Sequence, residues 1–413
     1  MTGARSGRCA APVLAGLLLA LLTAGCTSTT VKTVTFEGAE RARDIREEEL
    51  LDVGIAEFDP SIPEDWTEQE AANVIPDVRE AEARYLPQVL KATLQESGNW
   101  GAVRVLPRAS AAVDLAVEGR ILVSDGELLE IGIRAEDATG RLWLDEVYSY
   151  RTSKYAYEFD AADQVDPFQP LYNRVANDLL EVFRDLDARE HRRIRQIAEM
   201  RFAREFAPEA FADYVTEDRG GRWRLQRLPA EDDPRLDRIR RVREREYLFI
   251  DTLDEYYTAF RRDMSAAYQD YRRYTYDEAM QKRALERDGR QAWRTAAVSV
   301  AAATALVLAS ENSAVDYSAA VAGVAGAAMS ARRALATRRE AALYRDAIRE
   351  LGMQLEGEVT PLVIELDDRT YTLTGSVDEQ YERWRGILRD LYAEEYGLPQ
   401  ETAAADAPAD AGS

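Results

Sequence analysis

Between Pro234 and Ala309 the chain has no further proline and a single glycine, Gly289. Within that span Ile250, Leu253, Tyr257, Phe260, Met264, Ala267, Tyr271 and Tyr274 fall alternately three and four residues apart, with Arg, Asp and Glu at the outer positions. A seam held over about four repeats predicts one long helix with a coiled-coil-like stripe. An outgoing arm of ~75 residues at 1.5 Å per residue reaches about 110 Å. The run passes into WRTAAVSVAAATALVLAS, is interrupted by ENSAVDY, resumes as SAAVAGVAGAAMSARR and turns charged before Gly357. The expectation is a helical hairpin over residues 233–357 whose tip, residues 295–331, is where charge disappears.

At the tip Ala297, Ala301, Ala305 and Ala309 recur every four residues, and Ala319, Gly323 and Ala327 do so on the return, beside Ala322, Gly326 and Ser330. Small residues at that spacing let two helix backbones approach closely. Two readings stand. In one, the arms form a tight antiparallel coil buried in the protein or in a homo-oligomer. In the other, the tip enters a membrane, with Trp293, Arg294, Arg332 and Arg333 at one boundary. Each arm carries only about 14 to 16 uncharged residues, short of the ~20 that cross a 30 Å core, and Glu311 and Asp316 sit at the far end.

Ahead of the hairpin, LLDVGIAEFDP and AVRVLP read as strands, and Tyr85, Leu86, Val89, Leu90 and Leu94 mark a helix between them. Val113, Leu115 and Val117, then Leu129, Ile131 and Ile133, alternate with polar residues around turns at Asp125-Gly126 and Thr139-Gly140, which predicts an antiparallel meander. The fold class is therefore α+β: a small antiparallel or mixed sheet with one main packed helix over residues 50–165, a helical region over 166–232, the hairpin, and a β-hairpin plus amphipathic helix over 358–398. Residues 399–413 read as a disordered tail.

The chain has two cysteines, one histidine and a formal net charge of -22. Such a balance repels nucleic acid. His191 lies in the charged stretch DAREHRRIRQIAEM and reads as part of a solvated face. There is no Ser-His-Asp set, Cys-His pair, phosphate-cradling glycine loop or histidine-rich metal spacing. No catalytic residue, metal or cofactor is expected.

The amino terminus carries Arg5 and Arg8, an apolar run from Ala10 to Leu22, and ALLTAGCTST. That order is an export signal, too short for a comfortable bilayer span. Its end resembles the lipobox of bacterial lipoproteins, with Gly25 before Cys26. The resemblance implies cleavage after residue 25, lipidation of Cys26, a tether over residues 26–49 and, with Thr27 following, delivery to the periplasmic face of the outer membrane. Several acyl chains at roughly 0.8 kcal/mol per buried methylene make a stable anchor. Further on, VGIAEF, LQESGNWGAVRVL, VEGRI and AEDATGRLW are similar to envelope α/β modules. These include the curli-secretion lipoprotein, the lipoprotein activators of penicillin-binding proteins and the amino-terminal domain of the Tol-system propeller protein. That likeness implies a binding or assembly module with a protein partner in the cell envelope.

Together these readings lead to a non-catalytic, lipid-anchored scaffold or assembly factor, with a subunit of an oligomeric membrane pore or secretion channel as the alternative. Metabolic labelling with palmitate is expected to mark the intact chain and to be lost in Cys26→Ala; equal labelling of both removes the anchor.

Overall fold

The computed structural model describes residues 38–307 and 343–396, apart from residues 43–44, 73, 108–112, 158–164, 231, 344, 351–352, 354–361 and 367–368. These described residues belong to one unit. Beyond Arg283 the long helix is described by its backbone alone as far as Val307. Cys26, Ala309, Ala319, Gly323, Gly326 and Ala327 lie outside the described residues, as do the signal, the tether up to residue 37, the tip beyond residue 307 and the tail.

The chain enters along the folded body rather than as a free tether from Gly38 on. Glu40 donates its N–H to Asn177, Ala42 donates to Asn99, and Arg195 holds the Glu48 carbonyl. Strand β1 (Val53–Ala56) is apolar and buried on both faces. Helix α1 (Trp66–Ala72) is short, and α2 (Pro76–Ser97) starts with proline in its first turn and ends at Gly98, whose φ of 66° closes the helix. Then come β2 (Val103–Leu106), β3 (Leu115–Ser124), β4 (Leu128–Asp137) and β5 (Leu142–Arg151). The sheet order is β2-β1-β3-β4-β5. β1 runs parallel to β2 and β3, and β3, β4 and β5 form the antiparallel meander, so the sheet is mixed and the fold is α+β.

Helices α3 (Gln169–Arg184) and α4 (Ala188–Phe206) follow, the second opened by a capping box between Asp187 and Glu190. The region read as helical over residues 166–232 also holds a strand pair. After α5 (Pro208–Phe211), β6 (Val215–Glu217) and β7 (Trp223–Leu225) pair around Gly221, whose φ of 78° only glycine adopts freely. Three-residue strands are too short to show alternation.

Helix α6 (Pro234–Val307) is the long arm. Its seam is buried at Ile250, Leu253, Tyr257, Phe260, Met264 and Tyr271, but Ala267 and Tyr274 are half-exposed, and Tyr268 and Arg272 take their place. The cause is the partner. The buried stripe packs on α2 and β2, and a straight helix drifts about 20° per heptad from a seven-residue repeat. Near residue 348 the chain is helical again, Ile348 is buried and Arg349 pairs with Asp77 at 3.5 Å. β8 (Leu362–Leu366), β9 (Arg369–Leu373) and α7 (Val377–Tyr396) close the described chain. Trp384 of α7 stacks on Phe249 at 5.5 Å, and Tyr381 donates to the buried Glu246 at 2.8 Å.

His191 corrects the expectation of a solvated face. Its ring is buried and stacked 4.5 Å from Phe183, and burial lowers its pKa. The histidine stands where α4 turns inward to the core, a face that a charge-rich sequence window conceals.

The β3–β4 turn is pressed against α6. A Cβ on Gly126 would stand 2.1 Å from the Arg272 carbonyl oxygen and 2.6 Å from the Tyr276 nitrogen. Gly126→Ala is therefore expected to cost about 1 to 3 kcal/mol of stability in chemical denaturation. Gly132→Ala, where a Cβ meets nothing nearer than 3.8 Å, stays within about 0.5 kcal/mol. Equal stability of the two variants would mean that the turn does not touch the helix.

Candidate functional site

The sheet has two unlike faces because its strands alternate. Leu115, Val117 and Ile121, with Leu129, Ile131, Ile133 and Ala135, turn to one side and are buried beneath α2 and α3. The other face of the meander shows Glu118, Arg134 and Asp145 opposite one another, then Arg120, Gly132 and Val147, then Glu130 and Ser149, with Leu122 at a bulge of β3. Leu122, Leu142 and Val147 are 36%, 45% and 58% exposed there.

A groove of about 490 Å³ crosses this face from the end of β1 to β5. Its walls include Glu57, Asp59, Glu118, Arg120, Arg134 and Asp145. Gly132 lies between Arg120 and Val147 and supplies no side chain, which leaves a depression in the middle of the sheet. Arg134 donates to Glu136 at 2.9 Å and to Asp145 at 3.3 Å. Among the described residues neither Glu118 nor Glu146 has a salt bridge. At the β1 end, burial pushes the Glu57 carboxyl above its ordinary range, against the pull of Arg84 and of the Tyr257 hydroxyl that donates to it at 2.6 Å.

Further displaced groups are buried between elements, away from the groove. Arg272 of α6, fully buried, pairs with Asp166 at 3.2 Å and donates to the Tyr268 hydroxyl. That hydroxyl in turn donates to Glu82, which pairs with Arg79 at 3.2 Å. Asp114 accepts from the Asp52 N–H at 2.9 Å, and burial pushes its carboxyl up to about 6 despite Arg243 nearby. Carboxylates locked between packed elements have structural partners and no access for a substrate.

Among the described residues no group of three or more His, Cys, Asp or Glu is placed to hold a metal ion, and no helix is long and apolar enough to cross a membrane. Of the candidate lipidation and tip residues, the backbone of Ala297, Ala301 and Ala305 lies in α6, and Cys26, Ala309, Ala319, Gly323, Gly326 and Ala327 fall outside the described residues. The groove residues were not foreseen. Their one sequence signal is Gly132, a glycine on the polar phase of the alternating run LEIGIRAED, where a side chain would have been free to stand.

Asp114 gives a pH dependence. Its native carboxyl keeps a proton between about pH 4 and 6 that the unfolded chain has released, so its contribution is full below the unfolded pKa and lost as pH rises through 6. Asp114→Asn removes that loss. The variant is expected to exceed the parent by on the order of 2 kcal/mol at pH 8, with the gap narrowing below pH 6 and closing as pH falls below about 4, in urea titrations at each pH. A gap that does not change with pH would show that Asp114 ionises normally. No family model, curated protein or solved structure matches the chain.

Proposed function

We propose that this chain is a non-catalytic, lipid-anchored protein of the cell envelope, held at the periplasmic face of the outer membrane through Cys26, that acts as a scaffold or assembly factor. The open face of the meander is its contact surface for a protein partner. The observation that carries this reading is the asymmetry of the sheet. One face is closed by two helices, and the other keeps a groove of about 490 Å³ beside exposed Leu122, Leu142 and Val147. Apolar side chains set among charges, over a shallow floor, suit a polypeptide better than a small molecule, which needs a deeper enclosure. The buried carboxylates of the Arg272 network, Asp166 and Glu82, support the same reading, since they tie α6 to the rest of the fold and do not line the groove.

Gly132→Trp fills the groove from its floor, where the nearest atom to an added Cβ is Arg120 Nη2 at 3.8 Å. The variant is expected to keep its unfolding midpoint, because aromatic residues suit a half-exposed strand. It should also lose at least tenfold of the envelope protein recovered with the tagged parent after in-cell crosslinking. Undiminished recovery by a folded Gly132→Trp chain removes the open face from the function. Detergent-dependent rings of the purified chain would favour the pore subunit instead.

A further inference from the structure

The sheet ends differently at its two edges. At β2 the edge is closed by α6: Arg104 donates to Asp251 at 2.6 Å and lies 4.3 Å over the Tyr247 ring. At β5, a strand of ten residues, no described strand follows. The ladder fixes which backbone groups are left over there. Thr152 donates its N–H to the Glu127 carbonyl at 2.9 Å, so by alternation residues 150, 148 and 146 face β4. Residues 145, 147, 149 and 151 therefore direct their N–H and C=O groups outward. Of these groups the Ser149 carbonyl accepts from Arg174 at 3.5 Å. The side chains of the same residues stand on the open face, beside the groove.

From this we infer that β5 accepts an extended segment of the partner protein as a sixth strand, and that this segment carries Lys or Arg at its centre. The inference rests on the open face being a protein-binding surface and names how that surface is used. A row of unpaired backbone groups is a template for another strand, and alternate side chains of the added strand then read the neighbouring face. Charge decides the occupant. Asp145 and Glu146 are adjacent and exposed in the middle of β5, Asp145 on the open face with Glu118 and Glu146 on the opposite face. In a two-fold pair of β5 strands the acidic pairs of both copies would come within a residue or two of one another, which disfavours a second copy. Consecutive basic residues in the same place face Asp145 on one side of the sheet and Glu146 on the other, and Glu146 has no salt bridge among the described residues. The apolar contact is Val147, 58% exposed, between Asp145 and Ser149 on that row.

The test uses the full chain in detergent and three fluorescent decapeptides that alternate Thr and Val and carry Lys, Ser or Glu at two central positions. Anisotropy is expected to give the Lys peptide at least tenfold tighter binding than the Glu peptide, with Ser between. Val147→Pro removes one outward N–H and leaves the bonds to β4 in place, so it should weaken the Lys peptide at least tenfold. Should that variant fail to fold, Glu146→Lys serves instead and is expected to shift the preference toward the Glu peptide. Unchanged binding by folded Val147→Pro, indifference to peptide charge, or no binding of the Lys peptide overturns strand addition. In cells, a partner lost from Gly132→Trp but kept by Val147→Pro would overturn the edge while leaving the open face as the contact surface. A partner kept by both would remove the face as well.

Discussion

A guanidinium with no exposed surface lies in the middle of this protein, and much of the architecture follows from keeping it paired. Arg272 is 0% exposed. Removing such a charge from water costs several kcal/mol unless a counter-charge and donors surround it. Asp166 supplies the charge at 3.2 Å, and the rings of Tyr268 and Phe168 lie 3.7 and 4.8 Å from the guanidinium carbon. Tyr268 leads on to Glu82 and Arg79 of α2 and to Ser124 of β3. A one-residue slip of α6 would rotate Arg272 by about 100° and strand it. The register of the whole arm is thereby fixed, and the other fastenings fall in line: Lys91 to Asp254, Glu57 to Tyr257, and Arg283 to Asp125 and Glu127.

That dependence explains what could and could not be read in advance. The meander was legible because Val117, Ile131 and Ile133 alternate with charged or small neighbours and because Asp125-Gly126 and Thr139-Gly140 are turn pairs. The length of α6 was legible because nothing in it breaks a helix. Its inner face was not. Arg272 is a charged residue at a core position, and no periodicity of apolar residues can place it. The same blindness hid His191, which needs Phe183 beside it to count as apolar. The open groove was invisible for another reason: it is defined by a side chain that Gly132 lacks, between residues that come together only across three strands.

The choice of cation has a physical use as well. Lysine appears only at Lys32, Lys91, Lys154 and Lys282. The arginines repeatedly do what an ammonium does poorly, lying over rings while bonding to a second partner. Arg104 lies over Tyr247 and bonds Asp251, Arg201 lies over Trp223 and bonds the Ala138 carbonyl, and Arg385 lies over Phe206 and bonds Glu205. In a chain of net charge -22 several of the positive residues thus serve to join elements.

The two turns of the meander show how that joining bears on the open face. At one end Gly126 rests on the backbone of α6, with Asp125 and Glu127 held by Arg283. At the other, buried Asp137 accepts from the Thr139 N–H at 2.8 Å, the Thr139 hydroxyl at 2.6 Å and the Trp143 indole at 2.8 Å. Gly140, with φ of 78°, lets that turn close on Gly221, and Trp223 donates to the Thr139 carbonyl at 2.8 Å. The Asp-x-Thr-Gly sequence is therefore spent on turn geometry and docking, not on chemistry. With both ends of the meander pinned, its outer surface is ordered before anything meets it. A preformed surface spends less of its contact energy on ordering itself, so under the proposed role modest apolar area and a few charges would suffice for recognition. A face of this kind gains from rigid elements at its back, and the long helix, the strand pair of β6 and β7 and the buried arginine supply them.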